Sequence, residues 1–141
     1  MTTTLMLRIA AFVSLLFAAG HSMGGLQKWS PIGDNAVLTA MTDMHFPVMG
    51  VSRSYLDLYL GLGWSVSIFL LLQAVLLWQM ASLARTNEAQ VRPMIVTFML
   101  ATLASGIIAW VYIFAVPALF CAALLVIFAA AYWTSRNAPA A

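Results

Sequence analysis

Four long apolar runs, separated by polar breaks, set the plan of the chain. They cover residues 5–25, 55–84, 93–115 and 117–134. A bilayer core about 30 Å thick is crossed by about 20 apolar residues in a helix, so each run predicts a membrane-spanning helix. The expected fold is all-α: a four-transmembrane-helix bundle forming one integral membrane domain over residues 1–141. Pro93 opens the third run, which suits the first turn of a helix. The third and fourth runs meet at Val116-Pro117 and should form an antiparallel hairpin.

Residues 26–54 are the long polar break, and they are not featureless. Pro31-Ile32-Gly33-Asp34 reads as a turn that delivers Asp34 as a helix N-cap. Val37, Leu38, Met41, His45 and Val48 then fall near one face, with Asn35, Thr39, Thr42 and Asp43 on the other. That pattern predicts a short interfacial amphipathic helix between the first two spans, ended by Pro47. Trp29 and Phe46 suit the same interfacial depth.

Within the spans, small residues recur every four positions. Ser14, Ala18 and Ser22 do so in the first span, and Thr97, Ala101, Ser105 and Ala109 in the third. Small residues let helix backbones approach where lipid supplies no hydrophobic drive between helices, so both stripes are expected to face other helices. Gln73, deep in the second span, is expected to hydrogen-bond across helices.

Composition agrees with a membrane protein. Of 141 residues 64% are hydrophobic and 7% charged, against about 45–50% and about 25% in an ordinary soluble domain. The net charge of +2 is too small and dispersed for a nucleic-acid partner. The single cysteine, Cys121, rules out an internal disulfide. Arg8, Arg85, Arg92 and Arg136 fall on one side of a four-span topology, and Lys28 and Arg53 on the other. By the positive-inside rule both termini are expected in the cytoplasm, with residues 26–54 outside, in the periplasm for a Gram-negative chain. The first run, with Arg8 before it and Phe17-Ala18-Ala19-Gly20 within it, has some features of a signal peptide. Its length favours retention as a span.

The residues that could carry chemistry cluster in 20–64. Both histidines lie there, with Asp34, Asp43 and Asp57. Asp57 stands at the start of the second span, where Arg53 can pair with it four residues away. A carboxylate near lipid needs such a reason. Asp57, Gly61 and Trp64 share a helix face, with Tyr59 close by, and His21 ends the first span on the same side. His21 and Asp57 are therefore candidate acid–base residues, and Arg53, Tyr59, Gly61 and Trp64 candidate ligand-binding residues. His21 and His45, with Met23, Met41, Met44 and Met49 nearby, are candidate copper or haem ligands.

Gly20-His21-Ser22-Met23-Gly24 resembles the nucleophile elbow of the α/β-hydrolases, with Asp43 and His45 as nominal partners. That elbow belongs at a strand-to-helix turn, which a chain of apolar helices does not offer. The expected use of Gly20, Gly24 and Gly25 is to end the first helix.

Over nearly its full length the chain resembles a group of small bacterial four-helix membrane proteins. The likeness rests on Gly20-His21, a loop with Trp29 and Pro31, and Arg53-Ser54-Tyr55-x-Asp57-x-Tyr59-x-Gly61. That resemblance implies the fold and carries no activity. In outline the chain also looks like DoxX-type proteins and the emopamil-binding sterol isomerase group, an analogy of architecture that transfers no residue role. The leading expectation is a membrane protein holding a lipophilic small molecule or lipid at the outer mouth of the bundle. Others are an isomerase- or cyclase-type enzyme on such a substrate, a haem or copper protein, and an accessory subunit bound to a membrane complex or to a second copy.

Overall fold

A computed structural model describes residues 2–25, 30 and 32–136. Lys28, Trp29 and Pro31, read above as a loop cation, an interfacial ring and part of a turn, lie outside the described residues. The elements are α1 (Thr3–Gly25), α2 (Ala36–Asp43), β1 (His45–Val48), β2 (Val51–Ser54), α3 (Tyr55–Leu83), α4 (Glu88–Tyr112) and α5 (Ala115–Arg136). Helices α1, α3, α4 and α5 are long and apolar enough to cross a membrane, with α2 between the first two. The chain divides into two compact units, one of Met1–Phe17 with Leu71–Ala141 and one of Ala18–Leu70.

The first unit holds the packed core. Leu7, Leu77, Met80, Ile95, Leu124 and Phe128 are fully buried in it, among the equally buried alanines Ala10, Ala81 and Ala131. Alanine at these positions lets the helices close, as packing without a hydrophobic drive requires. Gln73 donates from Nε2 to Ser14 Oγ at 3.0 Å, the expected interhelical hydrogen bond. Phe17 stacks on Phe120 with ring centroids 4.7 Å apart. At the helix ends the hydroxyls of Thr3 and Thr134 lie 3.0 Å apart. The Arg92 guanidinium donates to the Ser135 carbonyl in the last turn of α5, where a cation is also favoured by the helix dipole.

Helix α4 begins five residues before the expected start at Pro93. Asn87 is its N-cap and accepts from the Gln90 amide at 3.2 Å. A cap of this type satisfies an orphan donor, and it outranks the proline as a start signal. Pro93 therefore sits inside the helix. The link to α5 falls at Ile113 and Phe114, and Pro117 occupies the first turn of α5, where its missing N–H is not needed.

The small-residue stripe of α1 faces inward, with Ser14 and Ala18 buried and Ser22 half-buried. The stripe of α4 does not: Ala109 is buried, but Thr97, Ala101 and Ser105 are exposed. Four residues turn a helix about 400°, so such a stripe drifts about 40° per step. The buried side of α4 is Val91, Ile95, Thr102 and Ala109, and the stripe reaches it only at Ala109. Along α4 and α5 an open apolar groove of about 310 Å³ is lined by Gly106, Trp110, Cys121 and neighbouring aliphatic residues. Large apolar side chains such as Phe12, Trp110 and Trp133 are exposed, as a bilayer-facing surface requires.

Candidate functional site

The second unit carries every residue singled out above as a candidate for chemistry. Helix α2 starts one residue later than expected. Its N-cap is Asn35, whose Oδ1 accepts from Val37 N at 3.0 Å and Leu38 N at 3.1 Å. Asp34 is left outside the helix. Asn35 wins because its amide also donates, to Ser30 Oγ and the Gly33 carbonyl, both at 2.9 Å. A carboxylate has no such donor. Leu38 and Met41 are half-buried and Val37 is exposed.

The helix stops at Asp43, so His45 and Val48 are not on its apolar face. Residues 45–54 form a hairpin instead, with His45 opposite Ser54, Phe46 opposite Arg53, Pro47 opposite Ser52 and Val48 opposite Val51. Met49 and Gly50 make its two-residue turn, both with positive φ (47° and 88°), as the twist of paired strands favours. Pro47 is tolerated because the pair next to the turn, Val48 with Val51, is hydrogen-bonded. Pairs alternate, so Pro47 falls where no N–H is wanted. Phe46 packs on Tyr55, ring centroids 4.8 Å apart, and so attaches the hairpin to the start of α3.

Asp57 is held by Ser54 rather than by Arg53. Ser54 N–H donates to Asp57 Oδ2 at 2.9 Å, and Asp57 N–H donates to Ser54 Oγ at 3.1 Å. This reciprocal pair is a capping box at the first turn of α3. Arg53 donates to the Ser52 carbonyl and acts on Asp57 only through its charge. His45 Nδ1 lies 3.0 Å from the Asp43 carbonyl. Ser54→Ala removes the cap hydroxyl and is expected to cost about 1 kcal/mol. Amide hydrogen exchange at Asp57 should then accelerate about fivefold, and an unchanged amide would count against the box.

His21, near the end of α1, meets α3 elsewhere. Its Nδ1 lies 2.9 Å from Ser67 Oγ, ten residues beyond Asp57, which is about 15 Å along a helix axis. The expected His21–Asp57 pair is therefore not assembled. Ser22 Oγ donates to the Ala18 carbonyl at 2.8 Å and lies 3.0 Å from Ser67 Oγ. With the Ser22 proton on Ala18, the Ser67 proton goes either to Ser22 or to His21. In both arrangements the Nε2 of His21 has no hydrogen-bond partner among the described residues. Ser67 is buried and His21 half-buried.

Trp64 lies one turn from Ser67 and is 54% exposed. Tyr59 and Gly61 are exposed nearer the start of the helix, with open space where a Gly61 Cβ would stand. Ser22 lies inside α1, and that helix runs through Gly20 to Gly25, so the G-x-S-x-G motif is no strand-to-helix elbow. Among the described residues no group of three or more His, Cys, Asp or Glu side chains could hold a metal ion.

Sequence reasoning missed the serine partner of His21 and the hairpin. Met49-Gly50 between Val48 and Val51 was the available signal for the hairpin. For Ser67 the only signal was a hydroxyl on an otherwise apolar helix. Comparison with protein-family models, with curated proteins and with solved structures finds no significant match to this chain.

Proposed function

We propose that this chain is a multi-pass membrane protein that holds a lipophilic small molecule or lipid, whose hydroxyl or carbonyl group engages His21. The observation that carries this reading is the anchored imidazole. Ser67 fixes one ring nitrogen of His21, and the other has no partner among the described residues. One turn before Ser67, α3 exposes Trp64, an apolar ring on the side of the helix nearest the imidazole. A few placed polar groups beside apolar walls suit a ligand with one polar end. Asp57 and Arg53 take no part in this reading, because Asp57 belongs to the capping box and Arg53 bonds within the hairpin. In this reading both chain ends lie in the cytoplasm, as the Lys and Arg distribution favours, and the membrane is the bacterial inner membrane to which the resemblance points.

Native mass spectrometry of the detergent-purified protein tests this directly. The expected result is one retained organic mass. His21→Ala should weaken its retention about tenfold, the worth of a hydrogen bond of about 1–2 kcal/mol in an apolar setting. Asp57→Asn should leave retention unchanged. A wild-type protein with no retained mass, or a His21→Ala variant that keeps it, would overturn the reading.

A further inference from the structure

A second feature lies wholly in the first unit. Its charge is one-sided: Arg8, Arg85, Arg92 and Arg136 stand against a single carboxylate, Glu88, whereas Asp34, Asp43 and Asp57 all belong to the second unit. The four arginines gather at one end of the packed helices. Thr3, at the start of α1, meets Thr134 in the last turn of α5. Arg92, in the second turn of α4, reaches Ser135. Arg85 is in the short turn between α3 and α4, and Arg136 is the last residue of α5. Arg8 lies 5.1 Å from the ring of Trp78, near the end of α3.

Arg92 is committed to a carbonyl, but Arg8, Arg85 and Arg136 are exposed. The guanidinium contacts of Arg8 and Arg136 are with rings, Trp78 at 5.1 Å and Tyr132 at 6.0 Å. Such contacts hold the cation in place without neutralising it, and leave its N–H fork free for an anion. Trp78 and Trp133 are 54% and 67% exposed at the same end. Tryptophan at that level marks the boundary between head groups and acyl chains.

We propose that this end of the first unit binds anionic phospholipid, with Arg8, Arg85 and Arg136 engaging head-group phosphates and the adjoining apolar helix faces taking the acyl chains. Charge complementarity selects the anion. The exposed tryptophans and apolar helices beside the arginines select a lipid over a soluble phosphate. Each arginine near an anionic membrane surface strengthens association roughly fivefold.

The test uses the full chain in nanodiscs of phosphatidylglycerol and phosphatidylcholine in equal amounts, with retained lipids read by native mass spectrometry. The wild type is expected to retain phosphatidylglycerol more than about tenfold over phosphatidylcholine. The combined Arg8→Gln, Arg85→Gln and Arg136→Gln variant should fall to the bulk ratio, and the corresponding triple lysine variant, which keeps the charges and loses the guanidinium forks, should fall between the two. Should the triple glutamine variant fail to fold, the three single Arg→Gln variants carry the test, each lowering the preference roughly fivefold. Added inorganic phosphate should leave the ratio unchanged. A wild type with no preference, glutamine variants that retain it, or competition by inorganic phosphate alone would each overturn the assignment.

Discussion

Phe128→Ala is expected to destabilise the protein by about 2–3 kcal/mol, measured by equilibrium unfolding in mixed micelles. The ring is fully buried and tilts against Phe98 with centroids 6.0 Å apart. In a soluble core the same change costs about 3–5 kcal/mol, part of it the transfer of apolar atoms to water. Lipid is as apolar as the side chain, so that part shrinks in a membrane. The lost dispersion contacts and the cavity remain. Trp133→Ala removes a larger ring from an exposed position on the same helix and should cost less than about 0.5 kcal/mol, the usual range for surface substitutions. If both variants unfold alike, Phe128 does not belong to the packed core described above.

Gly106→Val is expected to cost about 2–3 kcal/mol by the opposite route. A Cβ built on Gly106 would stand 3.1 Å from Cys121 Cβ, closer than ordinary van der Waals contact. Helices α4 and α5 would have to move apart, and overpacking of this kind typically costs about 1–3 kcal/mol. Valine adds two γ-carbons that cannot swing away from the contact, which places it at the upper end. Cys121→Ala keeps its own Cβ and should give little relief. Cys121→Gly removes the obstruction, so the Gly106→Val and Cys121→Gly double variant should recover at least about 1 kcal/mol relative to additivity. Strict additivity would mean that the two positions do not meet.

The four spans were legible because a run of about 20 apolar residues has few readings besides a membrane helix. Their ends were less so. At Asn87 and Asn35 a side-chain cap decided the start, and a cap depends on which donors and acceptors converge in space. Pro93 and Asp34 were plausible signals that lost to better-placed neighbours. The hairpin escaped because four-residue strands are too short to show a period, and because His45 and Val48 also fit a helical spacing. The α4 stripe illustrates a different limit. A four-residue repeat suggests one face, yet the helix rotates it away, and only Ala109 meets the core. In the candidate site, His21 stood out as one of two imidazoles, at the end of an apolar span. Its partner was not, since pairing Ser67 with it required the packing of α1 against α3. Asp57 was correctly marked as needing a reason, and Ser54, three residues before it, supplied that reason locally.

Helix α3 has 29 residues, about 43 Å at the helical rise, against a hydrocarbon thickness of about 30 Å. The other three spanning helices have 22 to 25. A surplus of this size is absorbed by tilting or by leaving the first turns in the head-group layer. Those first turns carry Tyr55, Asp57 and Tyr59, with the hairpin attached to them through Phe46 and the capping box. A thicker bilayer draws this stretch toward lipid, and a thinner one lifts it toward water. The capped carboxylate of Asp57 resists being drawn into lipid, so the surplus length of α3 is taken up by tilt rather than by burying that turn.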